Sequence, residues 1–357
     1  MALKVLITGV TGYIGGSVLS TLLDSPQLSK PEISISVLLR GEEKAKLYEA
    51  KGLKALLFNS LDETDLLREV ASQHDIVIHT ASGFHTSSAI ALIQGLADRA
   101  QETENTVHYI HTSGTSNLAD QPITGAYQEA EPRVFSDKEN IYAYEKARES
   151  LQVYAQRTTD IAVVETGLAH GVKTTIIMSP TIYGVGTGLG NRLSIQVPTI
   201  MKASLKSGEV DVVGEGKAEW DFVHIADLAN LYKLVLHRVV KGEEVPSGER
   251  GILFSGTGRY SWMELSRGIA SALFNLGAIR TDVVNRVDII EAARKWGKLG
   301  GGEVLFVELG FASNSRTDFE ISRELGWQPQ KTEEDFKIHF LEEAGLIVAA
   351  ARSVDSA

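Results

Sequence analysis

Two short strings in this chain carry residue types that do chemistry. The first is Tyr142-Ala-Tyr144-Glu-Lys146. Tyr142 and Lys146 are four residues apart, so on a helix they project from one face. An ammonium beside a phenol favours the phenolate and lowers the tyrosine pKa toward working pH. Such a tyrosine serves as a general acid or base, typically worth ~10²–10⁴-fold. Tyr144 pairs at the same spacing with Arg148, a poorer partner because a guanidinium does not exchange a proton. The second string is Thr112-Ser113-Gly114-Thr115-Ser116, which follows the apolar run 107–111. Hydroxyls at the carboxyl end of a strand can hold a substrate carbonyl and the charge that develops on it. Alone, the first string also reads as an ordinary surface helix and the second as a turn capping its own backbone.

A third stretch has the makings of a cradle. Leu3 to Ile7 is short, apolar and β-branched-rich; glycines follow at 9, 12 and 15, then Val18, Leu19, Leu22 and Leu23 at helical spacing. Strand, glycine turn and helix form the layout of a dinucleotide-binding unit. Gly9 allows the tight turn, Gly12 lets the backbone approach a pyrophosphate, and Gly15 lets the helix pack close to the strand. The helix N-terminus offers the phosphates free N–H groups and a positive dipole end. The first two glycines are three apart instead of two, and no Gly-Lys-Ser/Thr follows, so a triphosphate loop is not expected. An NAD site would place Asp or Glu at the end of the second strand. Here the chain has Leu38-Leu39-Arg40-Gly41, with Lys44 and Lys46 close behind. A guanidinium pairs well with a 2′-phosphate. NADP(H) is the expected cofactor, with NAD(H) as the alternative.

The elements that must position these groups alternate. Apolar runs at 3–7, 33–39, 53–58, 76–79, 107–111 and 174–178 read as strands. Helical patterns cover about 42–51, 65–72, 88–104, 141–156 and 161–170. The expected fold is α/β: a Rossmann-type doubly wound parallel sheet with a small, discontinuous C-terminal substrate lobe. Residues 1–182, with about 224–256, form the dinucleotide-binding domain. Residues 183–223 and 257–330 form the lobe, and 331–357 a C-terminal helix. The long loop 114–140, with Pro122 and Pro132, is expected to be functional.

The net charge of −11 argues against nucleic acid or an anionic membrane as partner. The absence of cysteine excludes disulfides, thiolate metal sites and a cysteine nucleophile. No metal is expected. No apolar run approaches the ~18 residues of a membrane span. The first strand starts at Leu3, so no leader peptide is expected, and the expected location is cytoplasmic.

In order along nearly the whole chain, these strings resemble the short-chain dehydrogenase/reductase superfamily, in particular its extended branch. The resemblance rests on Thr8-Gly9-Val-Thr11-Gly12-Tyr13-Ile14-Gly15, on His79-Thr80-Ala81-Ser82, on Thr112-Ser113 and on Tyr142…Lys146. It continues in Ser179-Pro180-Thr181-Ile182-Tyr183-Gly184, Asp221-Phe-Val-His224-Ile-Ala-Asp227-Leu and Leu325-Gly326-Trp327-x-Pro329. The chain is most similar to fungal-type "NAD-dependent epimerase/dehydratase" proteins. The resemblance implies that Tyr142 is the catalytic acid/base and that Lys146 binds the nicotinamide ribose. Ser113 would orient the substrate carbonyl, with Thr115 in reserve. Gly9, Thr11, Gly12, Tyr13, Ile14 and Gly15 would cradle the pyrophosphate. Arg40, Ser60 and Leu61 would border the adenosine end. Ala81 would lie along the cofactor, and Pro180 and Thr181 would face the carboxamide.

Two departures from the branch point to the reaction. Its nucleotide-sugar enzymes usually carry an arginine where this chain has Trp220, and its dehydratases place acids where Gly114-Thr115-Ser116 stands. An apolar aromatic suits an uncharged substrate. The expected activity is therefore NADPH-dependent reduction of a small or medium carbonyl compound, with Phe84, His85, Thr115, Tyr183 and Trp220 as substrate contacts. His85 stays open between a substrate contact and a solvated loop histidine. A nucleotide-sugar epimerase or dehydratase that retains its dinucleotide is the alternative enzyme. A non-catalytic sensor like the NmrA-type regulators is the alternative from another class; those lack the Tyr/Lys pair. The resemblance also implies a homodimer through the helices at 88–104 and 141–156.

Overall fold

The computed structural model describes residues 2–26, 33–129, 133–296 and 303–355; Pro132 and the last two residues lie outside them. The first half alternates without interruption: β1 (Leu3–Thr8), α1 (Tyr13–Leu23), β2 (Ile33–Leu39), α2 (Glu42–Glu49), β3 (Lys54–Leu57), α3 (Thr64–Ala71), β4 (Ile76–His79), α4 (Thr86–Thr103) and β5 (His108–Gly114). A short β6 (Phe135–Ser136) breaks the long loop. Then come α5 (Ile141–Leu151), α6 (Ala155–His170), β7 (Lys173–Ser179), β8 (Thr181–Tyr183), α7 (Gln196–Ser207), β9 (Val210–Val213), β10 (Glu219–His224) and α8 (Ile225–Val240). The remainder comprises β11 (Ile252–Phe254), β12 (Gly258–Ser261), α9 (Trp262–Asn275), β13 (Val284–Val287), α10 (Ile289–Trp296), α11 (Val304–Phe311), β14 (Thr317–Asp318), α12 (Glu320–Glu324) and α13 (Glu333–Asp355).

Seven parallel strands form the main sheet in the order β3-β2-β1-β4-β5-β7-β11. The order reverses at β1, whose neighbours are β2 and β4, and that crevice is where ligands of such sheets bind. β1 is apolar on consecutive residues because both its faces are covered. Val5 and Ile7 enter the core under α1 and α8, and Leu6 the core under α3, α4 and α6. A third core fills the C-terminal lobe, where Val197, Met201, Trp262, Leu273 and Phe336 pack together. The lobe carries the sheets β12-β10-β8 and β13-β9. Leu325 and Trp327 belong to the main domain instead: Trp327 lies in the core under α8, and its indole donates to the Asp227 carbonyl at 3.0 Å.

One element differs from expectation in a way that matters below. The helix expected over 141–156 stops at Leu151, and a new one starts at Ala155. Gln152 and Tyr154 are extended between them. Tertiary contacts override helix propensity here. The Glu149 carboxylate accepts the Tyr154 N–H at 3.0 Å and the Thr158 hydroxyl, and the buried Arg157 donates to the Gln152 carbonyl at 2.7 Å. The chain therefore doubles back as a helical hairpin, α5 against α6. Helix α4 lies between α3 and α6, and none of its residues from 88 to 100 is exposed. Among the described residues no helix is long and apolar enough to cross a membrane.

Buried carboxylates fix the lobe, one to the main domain and one within itself. Glu308 of α11 accepts the N–H groups of Ile123 and Thr124 in the long loop, each at 2.8 Å. Asp221 of β10 accepts from Arg259 of β12 at 2.7 Å, and from the Thr317 N–H at 2.5 Å and hydroxyl at 2.8 Å. Helix α9 starts on a reciprocal cap between Ser261 and Glu264. In urea unfolding, Asp221→Ala is expected to lose about 3 kcal/mol, because it strands a buried donor set. Ser261→Ala, the loss of a surface cap, is expected to lose about 1 kcal/mol.

Candidate active site

The glycine turn sits where β1 meets β4. Gly9 has φ +75°, and a Cβ on it would lie 2.6 Å from the Thr80 carbonyl carbon. A Cβ on Gly15 would lie 2.2 Å from Thr80 Oγ1 and 2.4 Å from the Gly9 oxygen. Helix α1 therefore starts as close to the sheet as backbone allows. Its N-cap, Gly12, has no side chain to occupy the first-turn N–H groups, which leaves them for an anion. Gly12, Tyr13 and Ile14 open onto a cavity. This donor set fits a dinucleotide pyrophosphate.

A glycine-rich strap, residues 184–193, closes over the turn. The Thr11 carbonyl accepts the Asn191 N–H at 2.9 Å, and the Tyr13 hydroxyl donates to the Gly184 carbonyl at 2.6 Å. The Gly184 N–H is held at 2.8 Å by Glu343 of α13, whose carboxyl is pushed up to about 8, chiefly by burial. At the adenosine end, Arg40 is exposed just after β2 and makes no ion pair among the described residues. The Ser60 hydroxyl donates to Asp62 at 2.7 Å, and Leu61 is half-buried against the α3–α4 core. Ala81 follows Thr80 at the end of β4 but does not line the cavity; Thr80 does.

The cavity, about 330 Å³, is bounded by the ends of β5 and β7, the start of α6, and α11 of the lobe. Phe84, Trp220, Phe306 and Phe311 make its apolar walls, and Ser113, Thr115, Ser116 and Tyr154 bring hydroxyl-bearing side chains to it. Among the described residues none that lines it is charged. The Trp220 indole is spent on Ser313 at 2.9 Å, so its ring serves as wall. Pro180 lines the cavity, whereas the Thr181 hydroxyl is tied to Tyr260 at 2.6 Å in the interior.

Tyr142 and Lys146 are not there. The hairpin carries the start of α5 to the far part of α6, where both the Tyr142 hydroxyl (3.0 Å) and the Lys146 ammonium (2.8 Å) reach Glu165. Glu165 is eleven residues beyond Tyr154, roughly 16 Å along the helix. The Lys146 side chain is 51% exposed. Burial and the Glu165 carboxylate raise the Tyr142 pKa despite Lys146, the reverse of the expected shift. Two further residues are corrected. Tyr183 is fully buried among Phe222, Phe336 and His339, as core. His85 caps α4 by accepting the Ser88 N–H, while its Nε2 meets Asp62 at 3.1 Å.

Two tyrosines line the cavity: Tyr13, whose hydroxyl is tied to the Gly184 carbonyl, and Tyr154, at the turn of the hairpin. The Tyr154 hydroxyl donates to Ser116 at 3.2 Å, and Ser116 donates to Gln156 at 2.7 Å. Burial raises the Tyr154 pKa, while Ser116 and Arg157 pull it back, so the phenol stays protonated. Its place was legible in principle: α6 leads directly into β7, so its N-terminus must lie beyond the carboxyl ends of the strands. Behind Ser113 lies a buried polar cluster. The Ser113 hydroxyl donates to Asp160 at 2.5 Å, and the Asn117 amide donates to Asp160 at 2.8 Å and to Glu145 at 2.7 Å.

The family model for NAD-dependent epimerases and dehydratases matches residues 5–247. The chain belongs to the NAD-dependent epimerase/dehydratase family. It is thereby an NAD(P)-dependent enzyme of the short-chain dehydrogenase/reductase superfamily. Among its relatives is an oxidase, ucsJ, of Acremonium sp., 30% identical over 305 residues, or 82% of this chain and 85% of the relative. Its fold matches DesIV, a dTDP-glucose 4,6-dehydratase of Streptomyces venezuelae, at 18% identity and a TM-score of 0.61, over 96% of both chains. It also matches a UDP-glucose 4-epimerase of Thermotoga maritima at 16% identity and a TM-score of 0.60, over 96% of this chain and 98% of the other. In this family member, Gly15→Ala is expected to lose dinucleotide binding by at least tenfold, or about 1.4 kcal/mol, because the added methyl displaces α1 from Thr80. Titration of nucleotide fluorescence measures it, and an unchanged affinity would refute the close-packed cradle.

Proposed function

We propose that this protein reduces the carbonyl group of a small or medium, uncharged and largely apolar compound, using NADPH. One observation carries the reading: a cavity with no charged wall residue among the described residues joins the glycine turn and is lined by the hydroxyl-bearing Ser113, Ser116 and Tyr154. When bound, the reduced dinucleotide supplies hydride. The chain's own residues then act on the oxygen. Tyr154 takes the place expected of Tyr142. Its protonated hydroxyl turns from Ser116 to donate to the carbonyl oxygen, and so stabilises the negative charge that develops there. Phe84, Trp220, Phe306 and Phe311 exclude water and fix the apolar body of the substrate. A nucleotide-sugar substrate would bring a diphosphate into a cavity where no described lining residue is a cation, which favours the neutral carbonyl.

The preference for NADPH rests on Arg40, free at the end of β2 to meet a 2′-phosphate. Arg40→Ala is expected to weaken NADPH binding by about tenfold, some 1.4 kcal/mol, and to leave NADH binding unchanged. Tighter binding of NADH than NADPH by the unmodified protein would refute the preference.

One observation favours the sensor as a second reading: the Tyr142–Lys146 pair that sensors lack is outside the cavity here as well. A screen of NADPH oxidation over ketones, aldehydes and enones separates the two. With a substrate in hand, Tyr154→Phe is expected to lower kcat by ~10²–10³-fold, as for removal of one oxyanion donor, while Tyr142→Phe leaves it unchanged. The reverse pattern would restore Tyr142. No turnover across the screen, with dinucleotide still bound, would favour the sensor. Homodimer assembly and a cytoplasmic location remain part of the proposal; sedimentation of the purified protein checks the first.

A further inference from the structure

The hydroxyl-bearing residues that line the cavity are backed by different groups. The chain Tyr154–Ser116 ends on the amide of Gln156, which holds a hydroxyl in place but does not titrate. The chain that starts at Ser113 ends on a carboxyl pair. Asp160 and Glu145 are both completely buried, on facing helices of the hairpin. Written as two carboxylates, they leave Asp160 Oδ1 and Glu145 Oε2 without any partner. Two carboxyl groups can bond each other only through a proton. The contact between them is a hydrogen bond in which Glu145, its pKa raised by burial and then by Asp160, is the donor.

The neighbours do not replace that proton with a counter-charge. From β5, Tyr109 and His111 face Asp160; His111 Nε2 is 3.5 Å away, but burial and the stacked His79 keep the ring neutral. From the turn after β5, Asn117 is neutral. From α6, Arg157 draws the Glu145 carboxyl down only in part, and its nitrogens are occupied by Glu149, the Asn117 carbonyl and the Gln152 carbonyl. Burial, partly offset by the bonds from Ser113, Glu145 and Asn117, lifts the Asp160 carboxyl to about 7. An acid buried under an active-site hydroxyl and titrating near neutrality is matched to proton transfer.

We propose that Asp160, enclosed with Glu145 away from solvent, is the proton store behind Ser113. This rests on the carbonyl-reductase reading above. As a C–H bond forms at the carbonyl carbon with hydride from the reduced dinucleotide, which is oxidised by two electrons, the π pair moves to oxygen, where Tyr154 holds it. The Ser113 hydroxyl, turned from Asp160 toward the substrate, gives its proton to that oxygen and accepts one from the protonated Asp160 carboxyl, so that the bond between them reverses. Asp160 is left ionised until it is reprotonated from solvent. Asp160 does not touch the substrate and acts through Ser113, so it is a positioning and relay residue.

The test pairs a spectrum with a rate. In the dinucleotide-loaded protein without substrate, infrared titration is expected to show a protonated-carboxyl band that decreases as pH rises through about 7 and is diminished in Asp160→Asn. With a substrate from the screen, kcat is expected to fall along the same limb. Asp160→Asn should abolish that limb and lower kcat by ~10²-fold or more, with dinucleotide affinity unchanged. Ser113→Ala removes a single oxygen, and so keeps the test alive if Asp160→Asn does not fold. It should lose as much as Asp160→Asn, and the double variant no more than either. A missing band, additive losses, or an unchanged limb in Ser113→Ala would overturn the relay while leaving the reductase reading intact. A protein that binds dinucleotide and reduces nothing would overturn both.

Discussion

The molecule depends on how closely α1 approaches the end of β4. A Cβ at Gly15 would sit inside the contact radius of Thr80 and the Gly9 carbonyl at once, and Gly9 itself adopts a conformation that other residues resist. Because backbone meets backbone there, the N-terminus of α1 points its free N–H groups across the switch point of the sheet. Everything else is referred to that axis. β5 and β7 end beside it, the strap lies over it, and the lobe hangs from β8 and β10 so that α11 faces it. The Thr80 hydroxyl is drawn into the same junction by the Thr8 carbonyl at 2.6 Å, which fixes the separation of the two strand ends.

Much of this was readable along the chain. The strands of the main sheet are short apolar runs with both faces buried, and their order follows from alternation with helices. The glycine turn is legible because steric demand shows directly as glycine. The Tyr142–Lys146 pair lies away from the cavity for a physical reason. Residues four apart share a face of a helix, but nothing in the spacing says which way that face looks. Tyr142 and Lys146 do share a face; it meets Glu165. What reverses the helix is a set of contacts made by Glu149 and Arg157, each spending its polar groups a few residues away where an unbroken helix would forbid it. Tyr183 as core and His85 as a cap were equally hard to see, since a tyrosine after a strand and a histidine in a loop carry no mark of being either. The Ser113–Asp160–Glu145 cluster is invisible along the chain because its members come from three elements and meet only after folding.

The cavity shows a division of labour. Its walls are apolar and bear hydroxyls, while the titratable groups are held one layer further back, on Asp160 and Glu145, or out on the surface, on Arg40. Charge behind a hydroxyl can tune proton traffic without imposing a field that would favour a charged ligand. A site built this way selects by shape and by one polar group, and it bears little resemblance to a site built to grip phosphates on the substrate.

The strap ties two binding events together. Gly184 is held on one side by Tyr13 of the cofactor turn and on the other by Glu343 near the end of the chain; a few residues on, Asn191 rests on Thr11 while lining the cavity. A ligand that settles this segment from the cavity side also settles it over the turn. Such coupling is reciprocal, whichever ligand arrives first. The order of binding is therefore a property of the strap as much as of either pocket, and α13, remote in sequence from both, takes part in setting it.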